Sequence, residues 1–351
     1  MLKKAFLILP LFLSVSLIIY SGIAFAVENV EEQYPTVEKT KPSRKKASDE
    51  IMAGFIPKNI GSLKVDLSAS SVFGYDSNVY LDRYDEDGSI FMQNSLGVKG
   101  QYPIKESIFT LRGAYDFITI KYFKFSDPDL IDNMLGLGLD TKIADNFLWS
   151  VDYLADFVGY PHDEQSEYTL NQVGTSLRHD ITKWLYQKLG YEFFYKHYPK
   201  LKTRNSRGNL RLGDREDYRN TLFHQLGLYA GKRMFIKAEN RVYINESNEN
   251  YLDYYDYHAL KSKVSLTYLI TKKLYETLSF AYQYKAYEKR GVSDSDEDQR
   301  DHLFIYGASV YYDVIPNVTL GASFDYRKNY SNENVEKYDD YVISSGVYLY
   351  F

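Results

Sequence analysis

From residue 60 to residue 351, apolar and polar residues alternate along the chain with a period of two. This period is typical of β-strands whose two faces meet different surroundings, and the 3.6-residue period of amphipathic helices is almost absent. About fourteen segments show the alternation, so the sequence predicts an all-β fold. The predicted strands span 62–75, 89–102, 106–122, 131–144, 146–159, 167–181, 184–197, 217–231, 234–246, 255–270, 273–288, 301–314, 317–329 and 338–351.

The connections between these strands alternate in length. Every second connection is a turn of about three residues, as at 144–146 and 315–317, and those between are longer and polar, as at 78–88 and 198–216. Short periplasmic turns and longer extracellular loops are the connectivity of transmembrane β-barrels. We therefore predict an antiparallel up-and-down transmembrane β-barrel of about 14 strands over residues 60–351.

The alternation also predicts which face of each strand meets lipid. In the segment 317–329, Leu320 and Phe324 share one face, and Gly321, Ser323 and Asp325 share the other. An apolar face towards lipid and a polar or small-residue face towards the interior is the arrangement of a membrane barrel, the reverse of a soluble one. The 36 tyrosines suit the two water–lipid interfaces.

The first 59 residues differ from the rest of the chain. Lys3 and Lys4 precede an apolar run and an Ala24-Phe25-Ala26 site, which predicts a cleaved signal peptide at 1–26, with an uncleaved anchor as the alternative. Residues 27–59 are acidic and then basic, without helical periodicity, and predict a flexible periplasmic segment. The alternative is that this segment binds a periplasmic partner or enters the barrel as a plug.

Composition and spacing argue against catalysis and cofactors. The chain has no Cys, which excludes disulfides, thiolate metal sites and Cys nucleophiles. Its six His form no metal-binding or catalytic spacing, and the acidic run 294–298 lacks the Gly and Glu of a calcium loop. We expect no enzyme activity, no metal and no cofactor; loop residues His162 and His302 are the candidates if a rim catalytic site exists. The net charge of −5 offers no attraction to nucleic acid.

The last residues carry a resemblance to known proteins. Ser344-x-Gly346-x-x-Leu349-x-Phe351 resembles the C-terminal insertion signal of Gram-negative outer-membrane β-barrels. The resemblance implies a bacterial outer-membrane location, contact with outer-membrane lipid and lipopolysaccharide, and recognition by the barrel-assembly machinery through strand pairing. The segment 72–81 also resembles the first strand of a β-barrel porin family whose members often accompany exopolysaccharide genes.

Charged residues on the predicted inward faces are the candidates for a solute path. Strands seven to eleven are the more basic stretch, which predicts a channel with a basic wall for small hydrophilic solutes, either anionic or sugars. The alternative is a network of mutually paired charges with no open path. The candidate pore-lining residues are Arg112, Asp116, Lys188, Glu192, Lys196, Lys237, Glu239, Arg241, Lys261, Lys263, Asp325 and Arg327.

Two other functions fit the same pattern. In the first, the barrel is one component of a surface polysaccharide or surface-protein export and assembly system, as the segment 27–59 and the porin-family resemblance suggest. Alternatively, it is a closed structural or adhesive barrel whose loops are the working surface. The predicted loop 198–216 carries six basic residues that suit an inward constriction, contact with lipopolysaccharide phosphates, or simple solvation.

Overall fold

The computed structural model describes residues 63–351 apart from 85, 105–106, 252–253 and 294. Fourteen antiparallel strands follow one another around a closed barrel, and the first pairs with the last, so the predicted up-and-down barrel is confirmed. The predicted signal peptide at 1–26 and the segment at 27–59 lie outside the described residues. The strands are β1 (Lys64–Asp76), β2 (Ser89–Pro103), β3 (Phe109–Tyr122), β4 (Leu130–Ala144), β5 (Phe147–Gly159), β6 (Tyr168–Thr182), β7 (Leu185–Arg204), β8 (Leu210–Ala230), β9 (Met234–Ser247), β10 (Tyr257–Leu269), β11 (Leu274–Gly291), β12 (Asp298–Ile315), β13 (Val318–Ser331) and β14 (Tyr338–Tyr350).

The connections are sorted by length, as predicted. At one end of the barrel, residues 145–146 join β4 to β5 and residues 316–317 join β12 to β13. At the other end the connections are longer, such as 77–88 between β1 and β2. Two single 3₁₀ turns, Glu164–Ser166 and Asn334–Glu336, lie in the longer connections. No helix in the described part of the chain is long and apolar enough to cross a membrane.

The prediction of a long loop at 198–216 is wrong. β7 continues to Arg204 and β8 begins at Leu210, so most of this segment is strand and the turn covers only 205–209. We call residues 199–215 the ribbon, because β7 and β8 pair there with each other and with no third strand. Register shifts in the β7–β8 ladder break the period of two in the ribbon, which hid these strand residues in the sequence.

Burial alternates along the strands and identifies their two faces. On β14, Asp340 and Val342 are 1% and 2% exposed, whereas Ile343 is 51% exposed. On β4, the exposed positions are apolar, including Leu135 and Leu137, and together the outward positions of the strands form a belt of Leu, Val, Ile, Phe and Tyr. A monomer in water does not leave such a belt exposed, so the belt is the lipid-facing surface of a membrane barrel.

The barrel closes between β1 and β14. The ladder runs from the pair Ser68 and Tyr350 to the pair Asp76 and Val342. Beyond it, Phe351 and Leu67 exchange backbone hydrogen bonds of 2.9 and 3.0 Å. All four residues of the predicted insertion signal, Ser344, Gly346, Leu349 and Phe351, therefore lie on or next to the closing strand. Their recognition by the barrel-assembly machinery stays a prediction.

Candidate functional site

All twelve candidate pore-lining residues occupy inward-facing positions of the barrel wall. They are Arg112 and Asp116 on β3, Lys188, Glu192 and Lys196 on β7, Lys237, Glu239 and Arg241 on β9, Lys261 and Lys263 on β10, and Asp325 and Arg327 on β13. Strand pairing and alternating burial place each of them on the face opposite the apolar belt. Their part in carrying a solute stays a prediction.

Arg112 bridges two carboxylates on two different strands. Its Nη2 donates to Oδ1 of Asp140 and to Oδ1 of Asp152, each at 2.8 Å. Asp152 lies on β5, two strands from Arg112, so the guanidinium has to cross β4. It crosses at Gly138, which pairs with Arg112 on one side and with Asp152 on the other. A Cβ at Gly138 would lie 2.8 Å from Arg112 Cζ, so the absence of a side chain there lets the bridge form.

A second network crosses β8, where Arg241 lies over the ring of Phe223. Arg241 on β9 places Nη1 2.6 Å from Oε2 of Glu192 on β7 and Nε 2.6 Å from Oε1 of Glu239. Lys237 lies 3.6 Å from the other oxygen of Glu239. Charge-assisted bonds of this geometry are the stronger class of hydrogen bond. They hold the Arg241 guanidinium in one orientation against the wall.

Lys188 lies between these two networks without an ion pair of its own. Its Nζ forms no salt bridge with any residue that the structure describes, and it lies 5.4 Å from the centroid of the Phe223 ring. A cavity of about 380 Å³ opens beside it, lined by Arg112 and Asp152 on one side and by Glu192 on the other. The side chain of Gln172 also lines this cavity. The cavity therefore offers a cation without an ion pair among the described residues, and a side-chain amide.

The extracellular half of the wall is different, because its charges are covered. Lys196 is 6% exposed, with its Nζ 3.5 Å from the centroid of Tyr168 and 4.4 Å from that of Tyr198. Arg327 is also buried, and its Nε donates to Oδ2 of Asp340 at 2.7 Å. Lys196 and Arg327 face inward as predicted, but neighbouring side chains cover them.

The remaining candidates lie elsewhere around the wall. Asp116 has its Oδ2 3.9 Å from Nζ of Lys99 on β2. Lys261 and Lys263 are partly exposed on β10, and Asp325 is partly exposed on β13 beside Gly307. The twelve residues thus form several groups at different heights, and the structure does not bring them together into one ring.

Inward charges of opposite sign are separated across the barrel. We count the inward charges of each strand as far as its ladder keeps one register with the neighbouring strands. On β7–β11 these positions carry nine cations and three anions. On the other nine strands they carry six cations and twelve anions. The β7–β11 set is Lys188, Lys196, Arg215, Arg219, Lys237, Arg241, Lys261, Lys263 and Lys285 with Glu192, Asp217 and Glu239. The opposite set is Lys64, Lys99, Arg112, Lys142, Arg178 and Arg327 with Asp66, Asp76, Asp116, Asp132, Asp140, Asp152, Asp156, Asp180, Asp301, Asp313, Asp325 and Asp340. The basic wall therefore exists, and it faces an acidic one.

The candidate set omitted the acidic partners and the inward tyrosines. Asp140 and Asp340 fix Arg112 and Arg327, and their inward positions follow from the alternation on β4 and β14. Tyr275 and Tyr311 stack with centroids 5.3 Å apart near the short-turn end. The alternation along the sequence predicts that both tyrosines face inward, but their stacking depends on the register between β11 and β12.

Comparisons with known proteins give only distant likenesses. No family model and no curated protein matches the chain. Among solved structures, OmpT of Vibrio cholerae is 12% identical and covers 85% of this chain and 100% of its own, with a TM-score of 0.48. OmpF of Salmonella typhi is 13% identical, with coverages of 84% and 99% and a TM-score of 0.47. The channel DcaP of Acinetobacter baumannii is 9% identical, with coverages of 85% and 99% and a TM-score of 0.47.

The classification of the chain rests on its own geometry. The antiparallel sheet is closed, the connections are short at one end and long at the other, and the outward face is apolar while the inward face is charged. These three properties together define the barrels of bacterial outer membranes. The chain is an outer-membrane β-barrel protein.

Proposed function

We propose that the protein is a passive outer-membrane channel for small hydrophilic solutes, whose anionic groups follow the β7–β11 wall. The observation that carries the proposal is the separation of inward charge, with cations in excess on β7–β11 and anions in excess on the facing strands. Charges of one sign along a pore wall raise the local concentration of solutes of the opposite sign. The proposed process makes and breaks no covalent bond.

The cavity beside Lys188 supports this proposal. Its volume of about 380 Å³ lies in the range of small-molecule sites. Lys188 supplies a positive charge without an ion pair among the described residues, and the Gln172 amide supplies a hydrogen-bond donor. An acidic sugar or a small carboxylate would use both groups. We propose that such a solute pauses here while it crosses the barrel.

Ion selectivity in a planar bilayer tests the proposal. The refolded protein is expected to give steady conductance steps, with a reversal potential in a salt gradient that shows preference for anions. Replacing Arg241, Lys261 and Lys263 together by Gln removes three cations of the basic wall. The reversal potential is then expected to move towards cation preference, because the acidic wall remains.

A matched variant separates the wall from the total charge. Lys64 and Lys99 are inward cations on β1 and β2, outside the basic wall. Their replacement by Gln is expected to move the reversal potential much less per charge removed. Unchanged selectivity after the triple replacement, or an equal shift per charge in both variants, contradicts the assignment of the path to β7–β11.

A closed barrel is the second candidate, and one observation favours it. In the extracellular half, inward cations are covered: Lys285 is 3% exposed and 3.3 Å from Asp301, and Lys196 is enclosed by two tyrosine rings. A lumen closed at this level leaves the ribbon and loops as the working surface. Absence of conductance from protein that keeps its folded mobility on an unheated gel supports this candidate over the channel.

A further inference from the structure

A row of polar side chains crosses the lipid-facing surface at the middle of β8–β10. His224, Asn240 and Ser262 are direct neighbours across the three strands. On β8 the outward positions run from Tyr218 to Ala230, and His224 is the central one. Asn240 is likewise central on β9, between Met234 and Glu246. The row therefore lies at the level of the hydrocarbon core, where lipid offers no hydrogen bonds.

The groups in this row are not satisfied within the barrel. The Ser262 hydroxyl donates to Asn240 Oδ1 at 2.7 Å. The amide nitrogen of Asn240 and both ring nitrogens of His224 have no hydrogen-bond partner among the residues that the structure describes. An ionisable ring facing lipid at mid-depth is costly and marks a functional surface.

Three other outward asparagines accept a hydrogen bond from a tyrosine. Tyr115, Tyr153 and Tyr191 each donate a hydroxyl hydrogen bond to an outward asparagine on the next strand, at 2.9, 2.7 and 2.5 Å. These asparagines are Asn133, Asn171 and Asn220. No tyrosine hydroxyl reaches Asn240 or His224 in the described structure. Asn94 on β2 also accepts from a serine, Ser71, but its neighbour on β3 is Thr119, so the ionisable His224 is what sets the row at Asn240 apart.

We propose that β8–β10 form a symmetric dimer interface with a second copy of this chain, centred on Asn240. A two-fold axis along the membrane normal, lying between the copies and beside β9 of each, places β8 of one copy opposite β10 of the other, because the three strands follow in reverse order across the axis. Asn240 then faces Asn240 of the second copy, and a carboxamide is self-complementary, with N–H donors and a C=O acceptor. Because barrel strands tilt by about 35–45°, residues paired across the strands lie at different heights, so Asn240, beside the axis, is the member of the row that meets its own counterpart.

The surroundings of the row suit such a contact. Leu222, Ile244 and Val264 are outward neighbours with 61%, 41% and 47% exposure, and they surround the polar centre with apolar surface. Ala238, two residues from Asn240 on the same face, is small and allows the two barrels to approach closely. An apolar rim around a hydrogen-bonded centre excludes lipid and water from the polar groups.

The absence of Cys makes a direct cross-linking test possible. Asn240→Cys introduces a single thiol near the proposed axis, where two copies bring the same residue together. Asn94→Cys is the matched control, because Asn94 is an outward asparagine on β2 that also accepts a serine hydroxyl, from Ser71 at 3.0 Å, and lies on the far side of the barrel. Oxidation in native outer membranes is expected to give a covalent dimer for Asn240→Cys and only traces for Asn94→Cys. No dimer, or equal yields at the two positions, overturns the proposal.

A second variant tests the polar groups themselves. His224→Leu with Asn240→Leu places better lipid-facing residues in the belt, so the barrel is expected to fold and keep its unheated gel mobility. Light scattering in mild detergent is expected to give half the wild-type protein mass for this variant, and the wild-type mass for Asn94→Leu. A monomeric wild type, or a variant that stays dimeric, refutes the interface. Single-channel conductance of the variant reports separately on the channel proposal.

Discussion

Replacing Gly138 by alanine is expected to break the bridge between Arg112 and Asp152. The new Cβ would lie 2.8 Å from Arg112 Cζ and 2.8 Å from Asp152 Oδ1, so the two side chains have to move apart. A hydrogen bond between charged groups is worth about 1.5–3 kcal/mol. Because the Arg112 and Asp152 side chains are 31% and 39% exposed, water replaces much of it, which leaves a loss of about 1 kcal/mol.

Gly136 provides the control for the backbone effect of the substitution. It is the next inward position on β4, and the atom nearest to a Cβ there would be Ala114 Cβ at 3.6 Å, an ordinary contact. Alanine in place of glycine stabilises by about 0.4–1 kcal/mol through the unfolded chain where the backbone permits it. We therefore expect Gly138→Ala to be about 1 kcal/mol less stable than Gly136→Ala.

Urea unfolding in lipid vesicles measures this difference. The fluorescence of Trp149 and Trp184, which are the chain's 2 tryptophans, reports the transition. In an Arg112→Ala background the difference between the two alanine variants is expected to disappear, since the bridge is already absent. Equal stabilities of the two single variants, or a difference that persists without Arg112, would refute the reasoning.

Three further predictions concern the closing strand and the loops. Gly346→Ala places a Cβ 2.6 Å from a β1 carbonyl oxygen, so we expect this variant to assemble into the barrel more slowly. The control is Gly100→Ala, where the atom nearest to the new Cβ is 3.9 Å away. The rate at which the heat-modifiable gel band appears measures barrel assembly. Arg327→Gln leaves the buried carboxylate of Asp340 without its cation and is expected to lower the free energy of unfolding in urea by about 3–5 kcal/mol. The loss is expected to be smaller in the double variant with Asp340→Asn, which removes the unpaired charge. Two hydrogen bonds of 2.7 Å, from a backbone N–H and a hydroxyl of the β11–β12 connection, hold the pKa of Glu333 below its usual value. Their contribution is complete above the usual pKa of Glu and is lost as the pH falls through the lowered value. Hydrogen exchange of that amide, corrected for its intrinsic rate, is therefore expected to rise at low pH. In Glu333→Ala, which removes the acceptor oxygens, exchange is expected to be high at every pH.

The strand number and the two faces of each strand could be predicted because, within the membrane, one face meets lipid and the other faces the barrel interior. Leu135 and Leu137 face lipid while Gly136 and Asp140 face the interior, and this contrast repeats on strand after strand. Above the membrane the contrast vanishes, since both faces meet water. That is why the ribbon, where Leu212 is 99% exposed on a strand, was predicted as a loop.

The candidate site was predictable by face but not by partner. Alternation places Arg112 inward, but its bond to Asp152 skips a strand and depends on the register that puts Gly138 between them. Alternation also places Lys196 inward without showing that Tyr168 encloses it, because a period of two carries no information on how long side chains bend along the wall. Which charges stay accessible is therefore a property of the assembled barrel.

The ribbon at 199–215 has a practical consequence for work on living cells. Its turn lies beyond the last rungs that join β7 to β6 and β8 to β9, at His197 and Asp217, and it reverses at Gly208 with a φ of +80°. A peptide tag or a protease cleavage site inserted after Gly208 interrupts no hydrogen bond of the closed ladder. The ribbon is thus a suitable insertion site. Binding of an antibody to the tag, or cleavage by a protease added outside the cell, reports the orientation of the barrel in the membrane while the barrel stays folded.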